Sequence, residues 1–148
     1  MSVTLFVIAI NDIADCIQGP VIGSLFVDDL AIFARSSRIV NAARMVQLTI
    51  NKLHKWSQKN CFLFSLEKTK CVHFSRTRGV HLNPTLHLGG RNLPFVESVR
   101  FLGMTLDHKL NWREHINTLK VNCLKSLNVL NFLSHVSWGA DRTTLILL

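Results

Sequence analysis

The nine residues LFVDDLAIF, 25–33, restrict the fold more than any other part of this chain. Seven apolar residues enclose two adjacent carboxylates, Asp28 and Asp29. In a strand, neighbouring side chains point to opposite faces, so an uninterrupted strand drives one acid into the core. An unpaired buried charge there is costly. A helix splays the two by about 100° and gains little. A turn removes the conflict: one strand rises over 21–27, another leaves over 30–34, and both acids sit at the tip. That arrangement holds them close together and ionised at the mouth of a sheet. Like charges so close need a cation.

A chain of 148 residues makes one domain or a piece of one. The apolar fraction of 48% is ample for a core and argues against disorder. Lys and Arg outnumber Asp and Glu 17 to 9, for a formal charge of +8 and a pI near 9.9. Such a balance favours polyanionic partners, nucleic acid first and an anionic membrane second. The four cysteines, Cys16, Cys61, Cys71 and Cys123, are widely spaced. Cys71 and His73 are the one close pair of soft ligands, and no second pair completes a zinc site. The cysteines therefore read as reduced thiols of an intracellular, non-secreted protein. The apolar run over 3–10 is too short to span a bilayer and lacks the basic leader of a signal peptide. It begins without capping residues, and the far end, TTLILL, stops inside another apolar run, so both ends look cut.

Along the chain, 3–13 reads as a buried helix, apolar almost all round. Gly19 and Pro20 break it, and the Asp-Asp hairpin follows. Ile39, Ala43, Val46, Ile50, Leu53 and Trp56 then recur at steps of three and four, predicting an amphipathic helix from about 37 to 59. Ser36 or Ser37 can cap it. Residues 62–64 and 71–74 are short strand candidates around the basic segment LEKTK. Residues 86–88 and 93–96 form a hairpin across Gly89-Gly90, and 99–106 is a further strand. Asn111 with Glu114 resembles a capping box. The helix it opens carries an apolar stripe of Trp112, Ile116, Leu119, Cys123, Leu127, Leu130 and Phe132 or Leu133. Trp138, Gly139, Ala140 and Asp141 end that element, and Asp141 can cap another. Trp56 and Trp112 read as core residues; His54, His108 and His115 read as surface or packing residues. There are no repeats, low-complexity segments or linkers. The fold class is α+β, a small antiparallel sheet backed by helices.

Adjacent aspartates at a hairpin tip suit two-metal phosphoryl transfer, in which paired divalent ions roughly 3.5–4 Å apart act on the attacking and leaving oxygens. Carboxylates are the hard oxygen ligands that Mg²⁺ takes, usually one or two per ion.

FVDDLAIF resembles the [FY]-x-D-D box of reverse transcriptases, with Phe26 in the aromatic position and Val27 as the variable residue. LHKWSQKNCFLFSLEKTKCVHFSR is similar to the helix, short strand and Lys-Thr pair that follow in the non-LTR retrotransposon enzymes, particularly those of jockey-like elements. VESVRFLGMTLDHKLNWREHI resembles their FLG…LD…L.W..H box, and SVTLFVIAINDI the helix after their template-contacting motif. Four boxes in order cover essentially the whole chain. The resemblance implies a palm-like antiparallel sheet packed on helices over 1–107, with a primer-grip-like hairpin, and the start of a helical thumb over 108–148. It implies that Asp28 is the firm catalytic ligand of Mg²⁺ or Mn²⁺ and Asp29 its weaker companion. Phe26 and Val27 then line the site beside the primer end, Lys68 approaches the incoming triphosphate, and Phe101, Leu102 and Gly103 belong to the primer grip. The implied partners are an RNA template, a DNA primer and deoxynucleoside triphosphates, with no membrane.

The family's palm needs another aspartate on a strand upstream of the opening helix, and Asp12 and Asp15 do not match that motif. The fingers, the endonuclease domain and the template motif, apart from its last residues at Ser2 and Val3, have no counterpart. The resemblance therefore implies a palm and thumb fragment, inactive alone, as a degraded or mispredicted transposon reading frame gives. The alternative is a non-catalytic basic module that binds nucleic acid through its face, with Asp28-Asp29 a polar turn.

Overall fold

The computed structural model describes residues 3–76 and 82–134. In chain order they form helix α1 (Val3–Ile10), a 3-10 helix (Asn11–Cys16), strands β1 (Val21–Phe26) and β2 (Asp29–Ala34), and helix α2 (Ile39–Lys59). Strands β3 (His87–Leu88), β4 (Arg91–Asn92), β5 (Ser98–Phe101) and β6 (Met104–Asp107) follow, and then helix α3 (Arg113–Leu133). Helices and small antiparallel ladders are thus mixed, as the α+β reading requires. The strands make three separate two-stranded ladders, β1-β2, β3-β4 and β5-β6, where one small sheet is predicted.

Helix α2 organises the core because its apolar stripe splits between two clusters. Ile50 is buried with Leu86, Leu88 and Leu93 of the β3-β4 region, while Leu53 is buried with Ile10 and Ile13 of the N-terminal segment. Ile32 of β2 and Phe64 pack against both clusters. The two buried polar residues of the helix are satisfied locally: the Thr49 hydroxyl donates to the Met45 carbonyl at 3.2 Å and the Ser57 hydroxyl to the His54 carbonyl at 2.8 Å. Trp56 is half-buried against the second cluster, as predicted, and stacks on Phe62 with centroids 5.3 Å apart.

The end of α2 explains why the chain doubles back. Cys61 adopts a left-handed φ of 58°, and the Phe62 N–H donates to the Ser57 carbonyl at 2.9 Å. That six-to-one bond, with the Phe62 ring on Trp56, is a Schellman closure. At the other end, Arg38 is the cap position and makes no side-chain cap bond; the Ser36 hydroxyl accepts the Arg38 N–H at 3.3 Å, outside the helix.

Several expectations need correction. The opening helix stops at Ile10 and is not buried: Val3 is 70% and Ile8 65% exposed. Only Ile10 and then Ile13 of the 3-10 turn are buried, with Phe6 and Cys16 packed partly against their cluster, because one side of this segment meets α2 and nothing among the described residues covers the other. Residues 62–64 are coil, and 71–74 contribute a single parallel bridge, Cys71 to Phe95, flanked by bonds from Cys71 N–H to Pro94 and from Val96 N–H to Cys71. The glycine hairpin is present and shorter than predicted, with Leu93 N–H to Leu86 carbonyl at 2.8 Å closing it. Gly89 and Gly90 have φ of 59° and 80°, the positive pair that a tight two-residue hairpin loop demands. The predicted strand 99–106 folds at Leu102-Gly103 into the β5-β6 hairpin.

Helix α3 also departs from its pattern. None of its residues is buried; Ile116, Leu127 and Phe132 are 58%, 51% and 63% exposed. Its first turn meets β6 and no described element runs along its stripe, so Trp112, at 38% exposure, is no core residue. The predicted ending at Trp138–Asp141 lies outside the described residues, as does Ser2. No helix among the described residues is long and apolar enough to cross a membrane.

Candidate active-site hairpin

The register of β1 and β2 runs from Val21↔Ala34 to Phe26↔Asp29, leaving Val27 and Asp28 as a two-residue loop. The predicted hairpin is therefore formed, with its turn one residue earlier than drawn: Val27 is in the loop and Asp29 opens β2. Two-residue loops match the strands' twist when a central residue has positive φ. Val27 supplies it, at 53°. A β-branched residue there is strained, roughly 1–3 kcal/mol for such a backbone. The strain is tolerated because both strands are anchored below: Leu25, Leu30 and Ile32 pack on the core.

Asp28 and Asp29 are both exposed, so neither carboxylate meets the cost that mid-strand burial imposes. Beside them stand Phe26, 61% exposed, and Val27, 39% exposed. One tip thus presents two hard oxygen donors flanked by apolar surface. Among the described residues no group of three or more His, Cys, Asp or Glu is gathered to hold a metal ion. The fit is to one or two carboxylate ligands on an ion that keeps several waters, as Mg²⁺ does.

The other predicted site residues sit on separate elements. Phe101, Leu102 and Gly103 form the turn of β5-β6, with Leu102 and Gly103 at φ of 46° and 82°. That ladder is not part of the β1-β2 sheet. Lys68 is exposed on the turn after Phe64, where its N–H donates to the Ser65 hydroxyl at 3.4 Å and the Thr69 hydroxyl to the Ser65 carbonyl at 2.7 Å. The structure brings together Phe26, Val27, Asp28 and Asp29 on one tip.

Three residues with positioning roles escape the sequence reading. Asp107 replaces the Asn111 capping box: its carboxylate accepts the N–H of Asn111 at 3.0 Å and of Trp112 at 2.9 Å. The Asn111 N–H, with that of Trp112, holds the Asp107 carboxyl below the usual aspartate range. Trp112, at φ 62°, is the left-handed residue before α3, a kink an ordinary cap does not require. His115 Nδ1 accepts the Thr105 N–H at 3.4 Å and so ties α3 back to β6. Gln47 clasps β3: its amide nitrogen donates to the His87 carbonyl at 2.9 Å and its oxygen accepts the His87 N–H at 2.8 Å. A single carboxylate four and five residues before its donors was the one visible signal, and only for Asp107.

No protein-family model matches the chain, and no solved structure does. Curated relatives do. The RNA-directed DNA polymerase from mobile element jockey of Drosophila funebris is 25% identical over 123 residues, 83% of this chain and 13% of the relative. The Pol polyprotein from type-1 retrotransposable element R1 2 of Nasonia vitripennis is 26% identical over 122 residues, 79% of this chain and 30% of the relative. The jockey polymerase of Drosophila melanogaster is 27% identical over 95 residues, 64% of this chain and 10% of the relative.

The chain is therefore a relative of the reverse transcriptases of retrotransposons. Within them, its likeness is to the jockey polymerases and the R1 Pol polyprotein of non-LTR elements. It spans between about a tenth and three tenths of the length of these relatives.

Proposed function

We propose that this chain is the later part of the palm, residues 1–107, and the start of the thumb, 108–148, of an RNA-directed DNA polymerase of a jockey-like element. The observation that carries this reading is the Asp28-Asp29 pair at the tip of a hairpin, Asp28 in its two-residue loop and Asp29 at the first position of β2, inside a sequence aligned with a jockey polymerase over 83% of its length. Asp28, in the loop, offers its carboxylate free of the ladder; Asp29, paired with Phe26, is held at the strand's first position. Mg²⁺ or Mn²⁺ bound there supplies charge neutralisation at the transferred phosphoryl group. Phe26 and Val27 give the primer end an apolar flank, Lys68 offers a cation to a triphosphate, and Phe101, Leu102 and Gly103 offer a backbone turn to the primer strand. RNA template, DNA primer and deoxynucleoside triphosphates are the partners.

Two carboxylates do not hold two divalent ions against their mutual repulsion, so the chain alone does not extend a primer. It binds Mg²⁺ or Mn²⁺ weakly, through Asp28 first. Manganese titration followed by proton relaxation tests this, comparing the chain with Asp28→Asn and Asp29→Asn. Primer extension is then measured for the chain and for a version preceded by the upstream palm and fingers of the jockey relative. Activity only in the long version, lost with Asp28→Asn, is expected. Extension by the chain itself overturns the incompleteness; activity indifferent to Asp28→Asn overturns the site.

A further inference from the structure

Helix α2 has two faces, and only one is used by the core. Its sequence, IVNAARMVQLTINKLHKWSQK, contains Arg44, Lys52, Lys55 and Lys59 and no acidic residue. At about 100° per residue the four basic positions fall within an arc of about 80°, roughly opposite the buried Ile50 and Leu53. All four are exposed. At about 1.5 Å per residue they extend over about 22 Å, with Lys52, Lys55 and Lys59 spaced by about 4.5 and 6 Å along the axis. An open groove of about 370 Å³ runs beside this stripe, lined among others by Gln18, Pro20, Leu48, Asn51, Lys52 and Lys55. The acid felt nearby is Asp15, whose charge and that of Lys52 both act on the Cys16 thiol.

We propose that the outer face of α2 is a docking surface for the phosphate backbone of a nucleic-acid duplex, separate from the Asp28-Asp29 tip. A linear, acid-free row of cations complements a polymer with one charge per about 1.7 Å of axis. The groove's Gln18 and Asn51 add amides that donate to phosphate oxygens without reading bases. A membrane fits less well: an interfacial helix inserts its apolar face, and here that face is buried in the core. The surface stands on charge and geometry, independently of the polymerase reading.

The test is a duplex-DNA titration at several salt concentrations. The wild-type chain is compared with a variant carrying Arg44→Gln, Lys52→Gln, Lys55→Gln and Lys59→Gln, and with a control carrying Arg113→Gln, Lys120→Gln and Lys125→Gln on α3. Lys, Arg and Gln have similar helix propensities, and far-UV circular dichroism checks that each variant folds. Each lost phosphate contact lowers the log–log salt slope by about 0.9, so the α2 variant, which loses four cations, is expected to lose about 3.6 in slope and the control less than 1. Lys52→Arg, Lys55→Arg and Lys59→Arg together retain the slope. The α2 variant keeps the manganese relaxation of the wild-type chain, so failure here and failure at the metal site are distinguishable. An α3 control that loses as much as the α2 variant overturns the proposal. So does an α2 face that binds vesicles of 30% phosphatidylserine but not duplex DNA.

Discussion

Ile13 is the most deeply buried large side chain described, at 1% exposure, and it supports the hairpin that carries Asp28 and Asp29. It lies in one cluster with Ile10 and Leu53, against which Leu25, Leu30 and Ile32 of the hairpin pack. Replacing it by Ala removes three carbons, roughly 2.4 kcal/mol of transfer free energy at about 0.8 per methylene. The cavity left behind raises the cost, placing Ile13→Ala in the range of about 2–5 kcal/mol and Ile13→Val at about 0.5–1.5. Urea unfolding measures both, with the m-value checking that the transition is unchanged. Amide exchange in β1 and β2 should quicken in the Ala variant, because the anchor under the strained Val27 loop is lost. An Ile13→Ala cost below about 1 kcal/mol, or one no larger than that of Ile13→Val, refutes the placement of Ile13 under the hairpin.

Asp107 has its carboxyl held down by backbone donors in the fold, so its stabilising contribution is full above the unfolded-state value, about 3.9, and is lost as pH falls through the lower folded value. Acid titration of α3 helicity between pH 5 and 2 should therefore show a loss that Asp107→Asn removes. Gln47→Ala deletes both bonds to the His87 backbone, and at about 0.5–1.5 kcal/mol each it should destabilise the β3-β4 hairpin by about 1–3 kcal/mol in urea unfolding. Thiol labelling should modify the exposed Cys61 and Cys123 first. Cys71, whose thiol burial pushes up, and Cys16, raised by burial and by Asp15, should react last.

The hairpin at Asp28-Asp29 was legible because two adjacent charges in an apolar run leave the backbone one inexpensive solution. The α2 stripe was legible for a similar reason: Ile50 and Leu53 alternate with charge at a period only a helix satisfies. The break at Leu102-Gly103 was not, since the stretch from Val99 to Leu106, mostly apolar apart from Arg100, Gly103 and Thr105, reads as one strand, and Leu102 takes a φ that a leucine seldom adopts. The likeness of FLG to a hairpin motif pointed the right way where periodicity did not. The stripes of 3–13 and α3 predict burial from their sequence alone, yet burial is a property of what lies opposite. Positioning by Gln47 and His115 was invisible because their partners are backbone groups 40 and 10 residues away.

Ile32 and Phe64 each touch both halves of the core. Two small clusters that share members cannot melt one after the other: opening either strips contacts from the same two side chains. Residues from α1 to the Cys71–Phe95 bridge should therefore exchange and unfold as one cooperative unit, whereas α3, outside both clusters, opens at lower free energy. The carboxylate-bearing tip thus inherits its rigidity from a β3-β4 hairpin more than fifty residues away in the chain, and substitutions at Leu86 and Ile13 should couple non-additively although neither touches Asp28.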